Sequence, residues 1–186
     1  TSIGESAFRG CYSLTSLTLP ASLVTIGDDA FHGCYALASV KFPASLVTIG
    51  LSAFRGCSSL TSLTFPASLV TIGLGAFAHC SSLTNVDFTA VTDANIGHSA
   101  FHDCERLVKV TLPAALSRIN DSTFSRCFAL VELTLPTTLT SIGIGAFSGC
   151  TSLAELTLPA TLTNIDEAAF SGCSSLSPPH IPRVPH

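Results

Sequence analysis

Apolar residues recur along this chain in a frame of fixed length. Residues Leu14 to Leu37 read LTSLTLPASLVTIGDDAFHGCYAL, which divides into Leu-x-x-Leu-x-Leu-Pro, x-x-Leu-x-x-Ile-Gly and x-x-Ala-Phe-x-x-Cys-x-x-Leu. One column runs Phe8, Phe31, Phe54, Phe77, Phe101, Phe124, Phe147 and Phe170. Another runs Cys11, Cys34, Cys57, Cys80, Cys104, Cys127, Cys150 and Cys173, with spacings of 23, 23, 23, 24, 23, 23 and 23. A unit this short cannot bury its own apolar side, whereas neighbours stacked along an axis share one continuous core. The pattern predicts a solenoid of about eight 23-residue rungs.

Within a rung, the alternation Leu17-Thr18-Leu19 marks a short strand with the leucines inward and the threonine outward. Each rung supplies one, so the strands stack as a parallel sheet. Pro20 and its equivalents Pro43, Pro66, Pro113, Pro136 and Pro159 end the strand, because proline has no N–H for a ladder. Leu23 to Ile26 forms a second extended stretch. Gly27 then implies a turn of positive φ, a conformation that Asn120 and Asp166 in the same column tolerate best among other residues. Ala30-Phe31 lies in a short helical turn with Phe31 pointing into the core. A small residue before the cysteine (Gly10, Gly33, Gly56, Gly149, Gly172) opens the way back to the strand, and His79, Asp103 and Arg126 interrupt that column.

The repeated Ile-Gly-x-x-Ala-Phe-x-x-Cys signature resembles the BspA-like, or Treponema-type, leucine-rich repeat family over residues 1–176. The resemblance implies a curved leucine-rich repeat solenoid with parallel β-strands on the concave side and short extended segments and helical turns elsewhere. It also implies a role in adhesion at a cell surface, since many members are surface proteins. That implication comes from the family and not from the periodicity.

Composition narrows the function. Hydrophobic residues make up 47% of the chain and charged residues 11%, but no apolar run is long enough to span a membrane. The net charge of −4 and the scattered basic residues give no footprint for nucleic acid. No catalytic motif is present and no cofactor is expected: paired carboxylates in a cleft, a serine nucleophile elbow and a phosphate-binding glycine loop are all missing. The cysteines read as free core thiols, because in-register parallel side chains hold their Cβ atoms farther apart than a disulfide prefers. His98 and His102 lie four apart with His79 one rung earlier, yet no tight metal motif surrounds them, and they read as solvated edge residues.

The outward strand positions form two columns: Ser16, Ser39, Ser62, Asn85, Lys109, Glu132 and Glu155, and Thr18, Lys41, Thr64, Asp87, Thr111, Thr134 and Thr157. They define the candidate concave binding face, the surface on which curved solenoids hold extended partners. Its hydroxyl-rich content suits a weak or multivalent protein or extracellular-matrix ligand, with a glycan as an alternative. Ice binding is disfavoured by Lys41, Asp87, Glu132 and Glu155, which interrupt the hydroxyl array. Tyr12, Tyr35 and Phe128, just after cysteines, are candidate lateral contacts for a scaffold subunit within a larger assembly. An intracellular or organellar complex is the alternative location for such a subunit.

Rung four is one residue longer, Thr89 replaces its proline, and Asp93 falls near the inward leucine position. Residues 177–186 hold four prolines in ten and read as an extended tail. The chain begins inside a repeat, as a fragment of something longer would, and neither end has a polar cap, so end-to-end self-association is expected. Asn120-Asp121-Ser122 is a glycosylation sequon in a constrained position.

Overall fold

The computed structural model describes residues 1–177, so all but the first residue of the expected tail lies outside the described residues. In chain order the strands are β1 (Ser2–Ile3), β2 (Ser16–Leu17), β3 (Thr25–Ile26), β4 (Ser39–Val40), β5 (Thr48–Ile49), β6 (Ser62–Thr64) and β7 (Thr71–Ile72). They continue with β8 (Asn85–Asp87), β9 (Asn95–Ile96), β10 (Lys109–Thr111), β11 (Arg118–Ile119), β12 (Glu132–Thr134), β13 (Ser141–Ile142) and β14 (Asn164–Ile165). Every pairing is parallel and joins equivalent positions of successive repeats.

The chain is a β-solenoid of about seven full rungs, with its first set of strands on the concave face. There β2 pairs with β4, and β6, β8, β10 and β12 follow in order. Alternation works as the pattern requires: Leu63, Val86 and Val110 are buried, while Ser62 and Thr64 face out. The second set is β1-β3-β5-β7-β9, then a break, then β11-β13-β14.

The third side differs from the expected helical turn. Among the described residues there is no helix. From Gly27 to Cys34 the backbone makes overlapping turns, with Ala30 N–H donating to Gly27 O, His32 to Asp29 O and Cys34 to Phe31 O at 3.0–3.3 Å. The alternate N–H groups, those of Asp29, Phe31 and Gly33, donate instead to Leu51, Ala53 and Arg55 of the next rung at 2.7–2.8 Å. Positive φ at Asp29 (52°) and Gly33 (73°) prevents a helix, and sharing donors between turn and neighbour ties each rung to the next.

The glycine of the Ile-Gly pair has a different reason from the one expected. Gly27, Gly50, Gly73, Gly97 and Gly143 are absent from the positive-φ positions, which fall two residues later and in the pre-cysteine column. What requires glycine is close approach: a Cβ at Gly73 would lie 2.5 Å from Gly50 C and Leu51 N. Asn120 therefore disturbs the stack. Elsewhere the N–H of this column donates to the preceding isoleucine carbonyl, as Gly143 does to Ile119 at 2.8 Å. At rung five the Asn120 side-chain Nδ2 takes over, donating to Ile96 O at 2.7 Å. The second sheet breaks between β9 and β11 at this point. The asparagine of the sequon is thus half-buried, with its side-chain amide tied to Ile96 O at the break.

Rung four absorbs its extra residue just upstream. Thr89, unlike proline, has an N–H, which donates to Asp87 Oδ1 at 2.8 Å. The following turn starts one residue early, with Val91 N–H on Phe88 O at 2.8 Å, where Leu23 bonds Pro20 O. Buried Val91 fills the leucine column, so the placement of the extra residue leaves Asp93 exposed rather than inward. Expelling the carboxylate avoids the cost of burying an unpaired charge.

The core is ladders of like side chains. The phenylalanines of the repeat stack from Phe8 to Phe170 with centroids 5.1–5.6 Å apart. A second ladder, Phe42-Phe65-Phe88, meets the first edge-on, with Phe42 against Phe54 and Phe65 against Phe77. All eight cysteines are free, six of them buried. Each Sγ from Cys34 to Cys173 donates to the phenylalanine carbonyl of the preceding rung at 3.1–3.4 Å.

Candidate functional site

The in-register strands bring the two predicted outward columns together. Ser62, Asn85, Lys109 and Glu132 lie side by side, as do Thr64, Asp87, Thr111 and Thr134, and Ser16 stands beside Ser39. Every predicted face residue from Ser16 to Thr157 is exposed or half-exposed. Among the described residues one ion pair lies on the face. Lys109 Nζ sits 2.9 Å from Glu132 Oε2, and Asp87 is held by Thr89. A shallow groove of 710 Å³ lies over Lys109, Thr111, Glu132, Thr134 and Glu155, floored by Val110 and Leu133. A smaller one of 310 Å³ lies over Lys41, Ser62 and Thr64. Such a surface can hydrogen-bond an extended chain across successive rungs, and it lacks aromatic anchors.

The predicted lateral contacts do not form one patch. Tyr12 and Tyr35 stack in parallel with centroids 5.2 Å apart and remain 62% and 53% exposed. Their rings lie across the glycine column, within 3.5–3.9 Å of where side chains at Gly10, Gly33 and Gly56 would begin. Phe128 is separated from them by Ser58, Ser81 and Glu105 in the same column, and its ring receives the Arg126 guanidinium at 5.5 Å.

The histidines are distributed among carboxylates. His98 Nδ1 is 3.2 Å from Asp121 Oδ2, whereas His102 Nε2 is 3.2 Å and His79 Nδ1 3.4 Å from the single oxygen Oδ2 of Asp103. Arg126 Nε binds the other oxygen of Asp103, and Arg55 Nη2 contacts His79 Nε2 at 3.1 Å. His102 Nδ1 is buried with no hydrogen-bond partner among the described residues. Burial, then the Arg55 charge, pushes the His79 imidazole below its ordinary value. Among the described residues no group of three or more His, Cys, Asp or Glu side chains is arranged to hold a metal.

One alignment was missed from sequence. The basic residues that looked scattered include Arg9, Arg55 and Arg126, which fall with His32, His79 and His102 along a single edge. The ladder bonds show it: Gly10 N–H meets His32 O, Gly33 meets Arg55 O, and His79 meets His102 O, each at 2.8 Å. Comparing the two residues before each cysteine across the repeats would have revealed the row.

A model of the BspA type leucine-rich repeat region matches residues 1–127 and 91–184, in six copies. The chain belongs to this family. A crystal structure of a leucine-rich repeat protein of T. pallidum is 40% identical, with a TM-score of 0.76, over 82% of this chain and 71% of that one. A leucine-rich repeat protein from Bacteroides ovatus is 28% identical, with a TM-score of 0.73, over 94% of this chain and 57% of that one. A leucine-rich cell surface protein from Faecalibacterium prausnitzii is 26% identical, with a TM-score of 0.63, over 95% of this chain and 56% of that one. This BspA-type chain therefore spans little more than half the length of the latter two. No curated protein gives a significant match. Leucine-rich repeat folds of this kind serve as binding modules for other proteins.

Proposed function

We propose that this BspA-type solenoid is a non-catalytic module for adhesion or protein–protein contact at a cell surface, holding an extended partner along its concave sheet. The observation that carries the reading is the pair of outward columns, brought into register rung by rung and left open over the 710 Å³ groove. Equivalent donors and acceptors recur at each rung, so an extended chain gains the same weak contacts repeatedly, and avidity replaces a single anchor. The surface location named for the F. prausnitzii relative supports the setting.

The test is membrane-impermeant labelling of intact source cells, coupled to a photo-crosslinker at Thr111 in the groove. Labelling of the protein, with crosslinks to a matrix or cell-surface protein, is expected. Recovery only from lysate in a large complex would overturn adhesion in favour of a scaffold subunit, a reading that the exposed Tyr12–Tyr35 stack favours. In that case alanine at both tyrosines should release the complex without altering the fold.

A further inference from the structure

We propose that the turn edge of the solenoid, away from the concave sheet, carries a pH-gated binding row for a linear sulfated or carboxylated polysaccharide. Arg9, His32, Arg55, His79, His102 and Arg126 occupy six consecutive rungs along it. Rungs of a parallel β-stack rise about 4.8 Å each. That is close to the advance of one pyranose unit along a linear chain, so the row offers cationic groups at a spacing an acidic glycan can follow.

Three observations converge on this edge. First, His79, Asp103 and Arg126 take the place of glycine at φ of 60°, 57° and 62°, so a polar cluster is held there against the backbone's preference. Second, the two aspartates in the row are shared. Asp29 faces both Arg9 (2.9 Å) and His32 (2.8 Å), and Asp103 faces His79, His102 and Arg126. Third, the exposed Tyr12–Tyr35 stack borders the row at the first rungs and supplies flat faces for sugar C–H groups.

Protonation is the gate. With neutral imidazoles, three arginines against two aspartates leave one net positive charge. Three protonated imidazoles raise it to four. The groups facing them are Asp29 and Arg9 around His32, and Arg55, Asp103 and Arg126 around His79 and His102. Glu105 and the His98–Asp121 pair flank the turn. His79 is 42% exposed, and its partial burial together with the Arg55 charge holds its imidazole below the ordinary histidine value.

The experiment is titration of the folded chain with a heparin oligosaccharide at pH 5.5 and 7.5. Binding at pH 5.5, weakened about tenfold or more at pH 7.5 and by added salt, is expected. H79G/R126G restores the glycine found at other rungs, so it should fold, and it should lose most of the binding. Arg118→Ala, in β11 on the second sheet, should bind as the parent does. No binding at pH 5.5, equal binding at both pH values, or an unaffected H79G/R126G variant would overturn the proposal. Equally tight binding of single-stranded DNA of matched charge would overturn the polysaccharide assignment. The concave-face reading stands or falls separately, since none of its residues is altered.

Discussion

The cysteine column makes this solenoid fragile in alkali. Cys57, Cys80, Cys104 and Cys127 are fully buried, each bonded to a carbonyl that cannot stabilise a thiolate. Burial pushes the Cys57 thiol from its ordinary value of 9.0 up to about 12, and the other three also rise, Cys80 and Cys104 well above that ordinary value. A folded-state value above the unfolded one means that the thiol's contribution is complete below pH 9 and is lost as pH rises, because only the unfolded chain releases the proton. Each thiol then tips the balance by about 1.4 kcal/mol per pH unit. At pH 10.5 that is about 2 kcal/mol per thiol and about 8 kcal/mol for four, comparable to the whole stability of a typical domain at about 5–15 kcal/mol. Other titrations in this window come from Cys34 and Cys150, also pushed up, from Cys173, pushed down by its bond with Cys150, and from two lysines, Lys41 and Lys109, and two exposed tyrosines. Urea unfolding under reducing conditions, followed by circular dichroism between pH 7 and 10.5, should show stability level up to about pH 9 and falling steeply beyond it. Cys80→Ala should lower the starting stability by about 1–2 kcal/mol and reduce the alkaline slope by about 1.4 kcal/mol per unit. Stability unchanged from pH 9 to 10.5, or the same slope in Cys80→Ala, would refute the reasoning.

Three further outcomes follow from the packing. Gly73→Ala places a Cβ against fixed backbone of the preceding rung and should cost about 2–3 kcal/mol by chemical denaturation, with a smaller loss at Gly4, which has open space around it. Phe77→Leu should destabilise more than Phe147→Leu in the same assay, because Phe77 stacks on Phe54 and Phe101 and also meets Phe42 and Phe65 edge-on, while Phe147 has only its two stacking neighbours. Asn120→Ala leaves the Ile96 carbonyl without its amide partner and should cost about 1–2 kcal/mol, with faster amide hydrogen exchange confined to β9 and β11.

The periodicity determined much of this protein on its own. A phenylalanine and a cysteine every 23 residues require a stack, because no single rung can bury them, and Leu-Thr-Leu alternation decides which side chains face the concave surface. The outward columns from Ser16 to Thr157 were legible for that reason. Conformation within the turns was not. Whether Gly27 is needed for its φ or for its missing Cβ depends on how near the preceding rung comes, and only the stacked structure puts Gly4 and Glu5 within 3 Å of that position. The Ala-Phe segment reads as a helical turn locally, but inter-rung hydrogen bonds claim every second donor and forbid it. The extra residue of rung four was visible, whereas its resolution, with Val91 in and Asp93 out, depends on which choice spares a buried charge. The cationic edge was hidden for a related reason. Arg9, His32, Arg55, His79, His102 and Arg126 stand in two adjacent sequence columns, and only the fold of the turn lets side chains from both meet over Asp103. Repetition encodes neighbours along the axis; contacts that cross columns are decided by three-dimensional packing.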